Sequence, residues 1–283
     1  STFVVTASDG TNTSTRQYTI TVNPAFVQLS GSGTFSVPSG INSAEILIVA
    51  GGASGSRSPN VSGGGGGAGG IVYRASYTFS STDKSSGIAY SVGAGGDGVG
   101  IAPSAFDGGY RNGADTTFAI SGGTITAKGG GGGAGYGGNS PHLSGFSAAY
   151  YGASQGGSGG GGAWESGSGA SSNQGTFSGW TSYGNSGGSR YASGETYGGG
   201  AGSNSTATVG GNGGVGQLFS SFTSYGESGY FGGGGAGGGR NDTEPQGGNG
   251  GGGNGGYGDG TTIRSGKYAI DGTGGGGGGV RNI

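Results

Sequence analysis

The chain has 283 residues, of which 85 are glycine and 6 are proline, and its 11 basic and 13 acidic residues give a formal net charge of −2 at pH 7. Collagen requires a strict G-X-Y period with abundant proline, which this sequence lacks, and long α-helices are disfavoured because each interior glycine costs about 1 kcal/mol relative to alanine. The scattered basic residues argue against a nucleic-acid-binding surface, and the absence of cysteine excludes disulfides and thiolate metal sites.

The first residues alternate between apolar and polar side chains, which is typical of β-strands. Two strands are predicted at residues 2–8 and 17–23, and their connection begins at Asp9-Gly10. The pattern F-x-V-x-A-x-D-G followed by Y-x-I-x-V-N resembles the last two strands of cadherin-like or immunoglobulin-like modules. Residues 1–24 are therefore predicted to be the end of such a module, with Pro24 at its boundary.

Residues 25–128 are predicted to be a region of β-strands that leads into the first glycine runs. A turn at Pro38-Ser39-Gly40 precedes a strongly apolar strand at residues 44–50, the best core candidate in the chain. Residues 116–128 have the pattern of a β-hairpin with Gly122-Gly123 as its turn. Two further strands are predicted at residues 71–79 and 88–92.

From residue 129 to residue 283, glycine runs alternate with segments rich in Ser, Asn, Thr and Tyr. The element GGGGAG occurs at residues 64–69, 130–135 and 232–237. Because glycine has no Cβ, such runs can pack backbone against backbone and exchange hydrogen bonds sideways. The conformation that suits this packing is the extended polyglycine-II helix, with three residues per turn and a rise of about 3.1 Å per residue.

The predicted fold is mainly non-helical. A small β-strand region is followed, over residues 129–283, by a layered bundle of polyglycine-II helices with exposed loops that vary in aromatic and polar content. The Gly-Ala elements that mark the scaffold are those of Ala68, Ala134, Ala201 and Ala236.

Two stretches carry a resemblance to a known family: TFSVPSGINSAEILIVAGG at residues 34–52 and ADTTFAISGGTITAKGGGGGAGYGG at residues 114–138. With them, the whole of residues 26–283 resembles the glycine-rich domains of bacteriophage tail-fibre tips and tip adhesins. The resemblance implies a layered polyglycine-II bundle whose variable loops recognise a bacterial surface receptor, either an outer-membrane protein or a glycan. It also implies that the protein is located in the tail fibre of the virion or at another extracellular site. Other fibre subunits are then the expected partners, and a homotrimer is among the expected assemblies.

The later loops combine aromatic side chains with Ser, Gly and Asn, as recombined binding loops do, because aromatics supply rigid contact area and small polar residues adapt to the partner. The alternative is that about half of these aromatics cover the sides of a bundle that has no side-chain core. Trp164 directly follows a glycine run and is expected to be such a cover, whereas Trp180 and Tyr183 are expected to be contacts. The receptor-binding candidates are Tyr150, Tyr151, Trp180, Tyr183, Tyr191, Tyr197, Phe219, Phe222, Tyr225 and Tyr230.

The catalytic patterns in this sequence do not rise above chance. The G-x-S-x-G element occurs three times, but the hydrolase order places a histidine after the serine, and the only histidine, His142, precedes all three. Residues 93–98 match the dinucleotide fingerprint without the helix that must follow it. The oxygens of residues 241–244 could bind calcium, although a solvated polar loop is favoured. We therefore expect no enzymatic activity, no cofactor and no metal.

A second function also fits the sequence: a structural extracellular fibre, or a protein that decorates a capsid or cell surface, assembled through the edges of its bundle. Unpaired backbone groups at such an edge can bond between subunits, as those of edge strands do. Neither function involves nucleic acid or membrane insertion, and no apolar stretch has the length of a membrane span. The chain opens with Ser rather than Met, and we expect it to be a piece of a larger protein.

Overall fold

Two antiparallel strands, β1 (Thr2–Ser8) and β2 (Thr13–Thr19), pair along their whole length, from Thr2 opposite Thr19 to Ser8 opposite Thr13. The carboxylate of Asp9 closes their connection by accepting hydrogen bonds from the N–H groups of Thr11 and Asn12, at 2.9 and 2.7 Å. This short turn lets pairing start at Thr13, so the second strand begins four residues earlier than the predicted residue 17.

The structure is a computed structural model, and it describes residues 2–19, 26–58, 62–97, 112–135, 152–163, 167–189, 198–207, 211–239, 243–258 and 263–281. The chain divides into two compact units, Ser1–Ser30 and Gly31–Ile283. The boundaries expected at residues 24 and 128 stay predictions.

The second unit contains many short strands and, among the described residues, one α-helix, α1 (Ser81–Ser86), so the prediction of a mainly non-helical protein is confirmed. A 3-10 turn covers Ser220–Phe222. The remaining strands are β3 (Ser32–Phe35), β4 (Ser43–Val49), β5 (Arg57–Ser58), β6 (Ile71–Thr78), β7 (Ile88–Ser91), β8 (Thr116–Ile120), β9 (Gly123–Ala127), β10 (Thr181–Tyr183), β11 (Gln217–Leu218), β12 (Tyr230–Phe231), β13 (Tyr257–Gly258), β14 (Ile263–Arg264) and β15 (Val280–Arg281).

The larger sheets of this unit have the orders β3-β7-β8-β9 and β10-β6-β4, and both are antiparallel. The predicted hairpin over residues 116–128 is confirmed as β8 and β9. Its two-residue turn is Ser121-Gly122, one position earlier than predicted, because Gly123 already pairs with Ile120. Three two-residue pairs complete the pairing of named strands: β11 with β12, β13 with β14, and the parallel pair β15 with β5.

Helix α1 was not expected from the sequence, and a capping box starts it. The Ser80 hydroxyl accepts from the N–H of Asp83 at 3.0 Å, and the Asp83 carboxylate accepts from the N–H of Ser80 at 2.9 Å. The same carboxylate, 2 % exposed, accepts from the Tyr77 hydroxyl and from the N–H of Ser121, both at 2.8 Å. The S-x-x-D spacing of residues 80–83 was the available sequence signal.

Acid is expected to weaken the fold through Asp83. Burial raises the pKa of its carboxyl, but hydrogen bonds from Ser80, Ser121 and Tyr77 together outweigh burial and leave the pKa below its usual value. A carboxyl whose pKa is lower in the folded than in the unfolded state stabilises the fold when it is ionised. This stabilisation is complete above the unfolded-state pKa of about 3.9 and is lost as the pH falls through the folded-state pKa. Asp83→Asn should lower the free energy of unfolding at neutral pH by about 2 kcal/mol and flatten this acid limb. Urea unfolding from neutral to acid pH tests this, and an unchanged acid limb in the variant would contradict it.

Residues 63–70 form the central run of the glycine-rich part. The N–H groups of Gly64, Gly67 and Gly70 all donate to one neighbouring run, residues 128–134, at 2.8 Å. The bonds therefore recur at every third residue. Five other runs bond to the central run with the same step: residues 198–201 and 274–280 also accept from it, and residues 50–56, 158–161 and 235–238 donate to it.

At nearly every glycine of these runs, a side chain would overlap the backbone of a neighbouring run. A Cβ added to Gly65 would overlap the carbonyl oxygen of Gly235, and one added to Gly161 would overlap that of Gly198. The alanines chosen as scaffold markers are fully buried, each with 0 % exposure: Ala68, Ala134, Ala201 and Ala236. Closely spaced backbones, instead of interlocking side chains, fill this part of the molecule.

Candidate functional site

The central run has two ends with different surroundings. At residue 70 the chain enters β6, and the neighbouring runs meet β4 and β9 at residues 50 and 128; we call this the strand end. At residues 64 and 65 the hydrogen-bonded neighbours include Ala134 and Gly161, respectively, and we call this the loop end. Because an extended chain rises by a little over 3 Å per residue, the two ends lie on the order of 20 Å apart.

Three alanines pack together at the loop end. Ala134 and Ala163 are both 0 % exposed, and the partly buried Ala153 packs against them. They stand next to two segments that lie outside the described residues, since Ala134 and Ala153 flank residues 136–151 and Ala163 precedes residues 164–166. The residues that precede both segments therefore lie in the same small part of the molecule, and so does Ala153, which follows the first segment.

A third such segment, residues 190–197, is flanked at the same place. The N–H of Gly162 donates to the carbonyl of Gly188 at 2.9 Å, and the N–H of Gly198 donates to the carbonyl of Gly162 at 3.0 Å. Five aromatics named in the sequence analysis belong to these segments outside the described residues, and their roles stay predictions: Tyr150, Tyr151, Trp164, Tyr191 and Tyr197.

The strand end carries a buried aromatic cluster. Ile71, Phe219, Phe222 and Phe231 form its core, and the Phe219 ring lies 6.5 Å from that of Phe222 and 6.3 Å from that of Phe231. Leu47, Val49, Tyr73, Tyr183 and Tyr225 pack around it.

The candidates Phe219 and Phe222 are 6 % and 8 % exposed, so these two side chains do not present a receptor-binding surface. The physical reason is that the sheet β10-β6-β4 ends in an apolar face at Ile71, which the loop of residues 217–231 covers. The sequence carried a signal for this, because phenylalanine has no polar group and is more often buried than tyrosine. The remaining candidates of this region, Tyr183, Tyr225 and Tyr230, are partly buried.

The family of the second unit follows from the similarity of its sequence to a known family of proteins. The sequence pattern that defines the glycine-rich domain family matches residues 28–283 of the chain. The chain belongs to the glycine-rich domain family. No curated protein and no solved structure matches the chain. The match includes all of the unit Gly31–Ile283 and leaves out the hairpin of β1 and β2.

Trp180 of the glycine-rich domain is 9 % exposed, although it was expected to be a receptor contact. Its ring lies 5.7 Å from the ring of Tyr77, and the guanidinium of Arg74 lies over both rings, 5.4 Å from Tyr77 and 5.7 Å from Trp180. The N–H of Trp180 donates to the carbonyl of Phe177 at 3.0 Å, and this turn directs the chain back along β6 as β10. Trp180 therefore stabilises the sheet β10-β6-β4 through packing and cation–π attraction.

Two exposed side chains of the glycine-rich domain were missed by the sequence analysis. Tyr268 is 85 % exposed and Ile270 is 51 % exposed. Both lie on residues 265–270, a run bonded to the domain through Lys267 and Ile270 at 2.8 and 2.9 Å. No compositional signal distinguished this run, because its only aromatic residue is isolated.

The described part of the glycine-rich domain offers limited chemistry. Among the described residues, no group of three or more His, Asp or Glu side chains could hold a metal ion. No described helix combines the length and apolar character needed to cross a membrane. Two described tyrosine hydroxyls are strongly perturbed. Burial and a hydrogen bond to a carboxylate, Glu45 for Tyr73 and Asp83 for Tyr77, raise the pKa of each tyrosine to about 12, so both hydroxyls are neutral at ordinary pH. The expectations of no enzymatic activity and no cofactor stay predictions.

Proposed function

We propose that the glycine-rich domain is the receptor-binding module of a fibre tip, a tail-fibre adhesin whose loop end contacts a protein or glycan on a bacterial surface. The proposal includes a scaffold of polyglycine-II helices. A three-residue hydrogen-bond step and six neighbours around the central run support this conformation, which has three residues per turn. So does the close approach of backbones at positions such as Gly65, where only glycine fits.

One observation carries the functional proposal. The described residues that flank the three aromatic-bearing segments 136–151, 164–166 and 190–197 lie together at the loop end, around Ala134 and Gly162. Rigid attachment at both sides of a loop limits the conformational entropy lost when a partner binds. Tyr and Trp side chains on such loops supply large contact areas with few rotatable bonds.

The test removes the tyrosines of the loop end together. Serine replacements of Tyr150, Tyr151, Tyr191 and Tyr197 are expected to weaken binding to receptive bacterial cells by about 30-fold or more, because interface hot spots cost 2 kcal/mol or more when truncated. Binding of the labelled chain to cells, and to outer-membrane fractions prepared from them, measures the effect.

The matched control replaces two exposed tyrosines that belong to none of the three segments, Tyr18 and Tyr268, with serine. This control should bind as the unaltered chain does. An equal loss of binding in the control would contradict a specific role of the loop end, and so would full binding by the quadruple variant.

A further inference from the structure

Four Asn-Gly pairs lie within the described residues of the glycine-rich domain: Asn112-Gly113, Asn212-Gly213, Asn249-Gly250 and Asn254-Gly255. Such pairs are prone to spontaneous deamidation because glycine leaves the following backbone nitrogen unhindered. That nitrogen loses its proton and attacks the side-chain amide carbon of asparagine, ammonia leaves, and a five-membered succinimide forms. Water then opens either C–N bond of the ring and gives aspartate or isoaspartate.

The attacking nitrogen is engaged in all four pairs. The N–H of Gly113 donates to the carbonyl of Gly130 at 3.0 Å, that of Gly213 to Gln246 at 2.9 Å, and that of Gly255 to Pro245 at 2.9 Å. A nitrogen held in this way cannot turn toward the preceding side chain without breaking a bond between runs. In these three pairs the acceptor is the backbone of a neighbouring run, so the packing of the runs itself supplies the protection.

The fourth pair differs because its acceptor is a side chain. The carboxylate of Glu227 accepts from the N–H of Gly250 at 2.6 Å and from that of Gly251 at 2.9 Å. Asn249 is exposed and lies in a turn, and the two glycines have φ angles of 99° and 88°. An Asn-Gly pair reaches the cyclisation geometry most easily when its asparagine is exposed in a turn, as Asn249 is.

The loop that carries Glu227 is built to hold it in place. Glu227 and Tyr230 exchange two backbone hydrogen bonds of 3.0 Å around Ser228 and Gly229. Both intervening residues have positive φ angles, 52° and 87°, which is the pattern of a type I′ turn. The following Phe231 is anchored in the buried cluster of the strand end. The backbone that carries the carboxylate is thus held by contacts other than the one with the turn at Asn249.

We propose that Asn249 is a latent deamidation site and that the Glu227 carboxylate is the group that keeps it intact. The carboxylate fixes the nucleophilic nitrogen of Gly250, a task that neighbouring backbone performs for Asn112, Asn212 and Asn254. The expected modification is conversion of Asn249 to a mixture of aspartate and isoaspartate whenever this contact is lost.

The test compares the intact chain with the variant Glu227→Ala during long incubation at mildly alkaline pH, followed by peptide mapping that separates aspartate from isoaspartate. We expect deamidation at Asn249 to be about tenfold faster or more in the variant, since a hydrogen bond to a charged group has been removed. The other three pairs serve as internal controls and should stay intact in both chains. Glu244→Ala, which removes a carboxylate that pairs with Lys267 instead, should leave Asn249 intact.

Three outcomes would overturn the proposal. The first is an unchanged rate of deamidation at Asn249 in the variant. The second is an equal rise at all four pairs, which would mean that the whole domain has loosened. The third is faster deamidation in the intact chain, which would make the carboxylate a base that promotes the reaction. If Glu227→Ala does not fold, Glu227→Gln keeps the shape of the side chain but replaces the charged acceptor with a neutral one, which makes a weaker hydrogen bond to the N–H of Gly250. Amide exchange of Gly250 and Gly251 should then accelerate together with deamidation at Asn249, and unchanged exchange and deamidation would overturn the proposal.

Discussion

Replacing Gly65 with alanine is expected to destabilise the glycine-rich domain by more than about 4 kcal/mol, a large fraction of the roughly 5–15 kcal/mol by which an ordinary domain is stable. The added Cβ would overlap the carbonyl oxygen of Gly235 and the carbonyl carbon of Ala236. In a side-chain core, an added methyl group is met by rotamer changes that cost about 1–3 kcal/mol. Here both obstacles are backbone atoms, and Gly235 is itself held by the bond from its N–H to Gly66 at 2.9 Å.

The matched control is Gly175→Ala, where an added Cβ has no atom within 4 Å and the backbone does not require glycine. This control should be neutral, or stabilising by up to about 1 kcal/mol, because alanine restricts the unfolded chain. Urea unfolding followed by circular dichroism and intrinsic fluorescence measures both variants. Equal stability of Gly65→Ala and Gly175→Ala would show that the runs can separate without penalty, and the scaffold proposed for the binding function would then be wrong.

Replacing Phe219 with alanine is expected to lower the free energy of unfolding by about 3–5 kcal/mol, the usual cost of deleting a buried aromatic side chain. Phe219 lies at the centre of the aromatic cluster at the strand end, with its ring 4.9 Å from that of Tyr73 and 5.7 Å from that of Tyr183. Its backbone also takes part, since its N–H donates to Gly229 at 2.9 Å. The loop of residues 217–231 should therefore detach from β6 in the variant.

Leu218→Ala is the control for this prediction, because Leu218 precedes Phe219 and is 42 % exposed. Its effect on unfolding should stay below about 1 kcal/mol. The pair of variants also separates the two roles considered for Phe219. A variant Phe219→Ala of unchanged stability that no longer binds bacterial cells would identify this ring as a contact, against its burial in the structure.

Local patterns predicted the β-rich part of the fold with small errors. Alternation and the glycine turn located β8 and β9, because a hairpin depends mainly on residues close in sequence. The predicted turn was one residue too late, because the position of a hairpin turn depends on which cross-strand pair is the last one before it, and here that pair is Ile120 with Gly123. Helix α1 was missed because six residues are too few for a helical period, although Ser80 and Asp83 had the spacing of a capping box.

Apart from the general tendency of phenylalanine to be buried, the sequence did not sort the aromatic residues into core and surface. Tyr183, Phe219 and Trp180 occur in the same kind of Ser- and Gly-rich segment as Tyr191 and Tyr197. What buries Phe219 and Trp180 is contact with residues 71–77, more than a hundred positions away along the chain. Composition reports what a segment contains, whereas burial depends on which part of the fold lies beside it.

The sequence by itself determined that backbones must pack closely in this protein, because 85 glycines leave too few side chains for an ordinary core and too little helix propensity for long helices. It also determined where the runs occur, through the repeated GGGGAG elements. Only the tertiary structure decided which runs become neighbours and which end each loop occupies. Glycine runs carry almost no side-chain information, so their order is specified by the strands and loops that join them, and those contacts exist only in the folded chain.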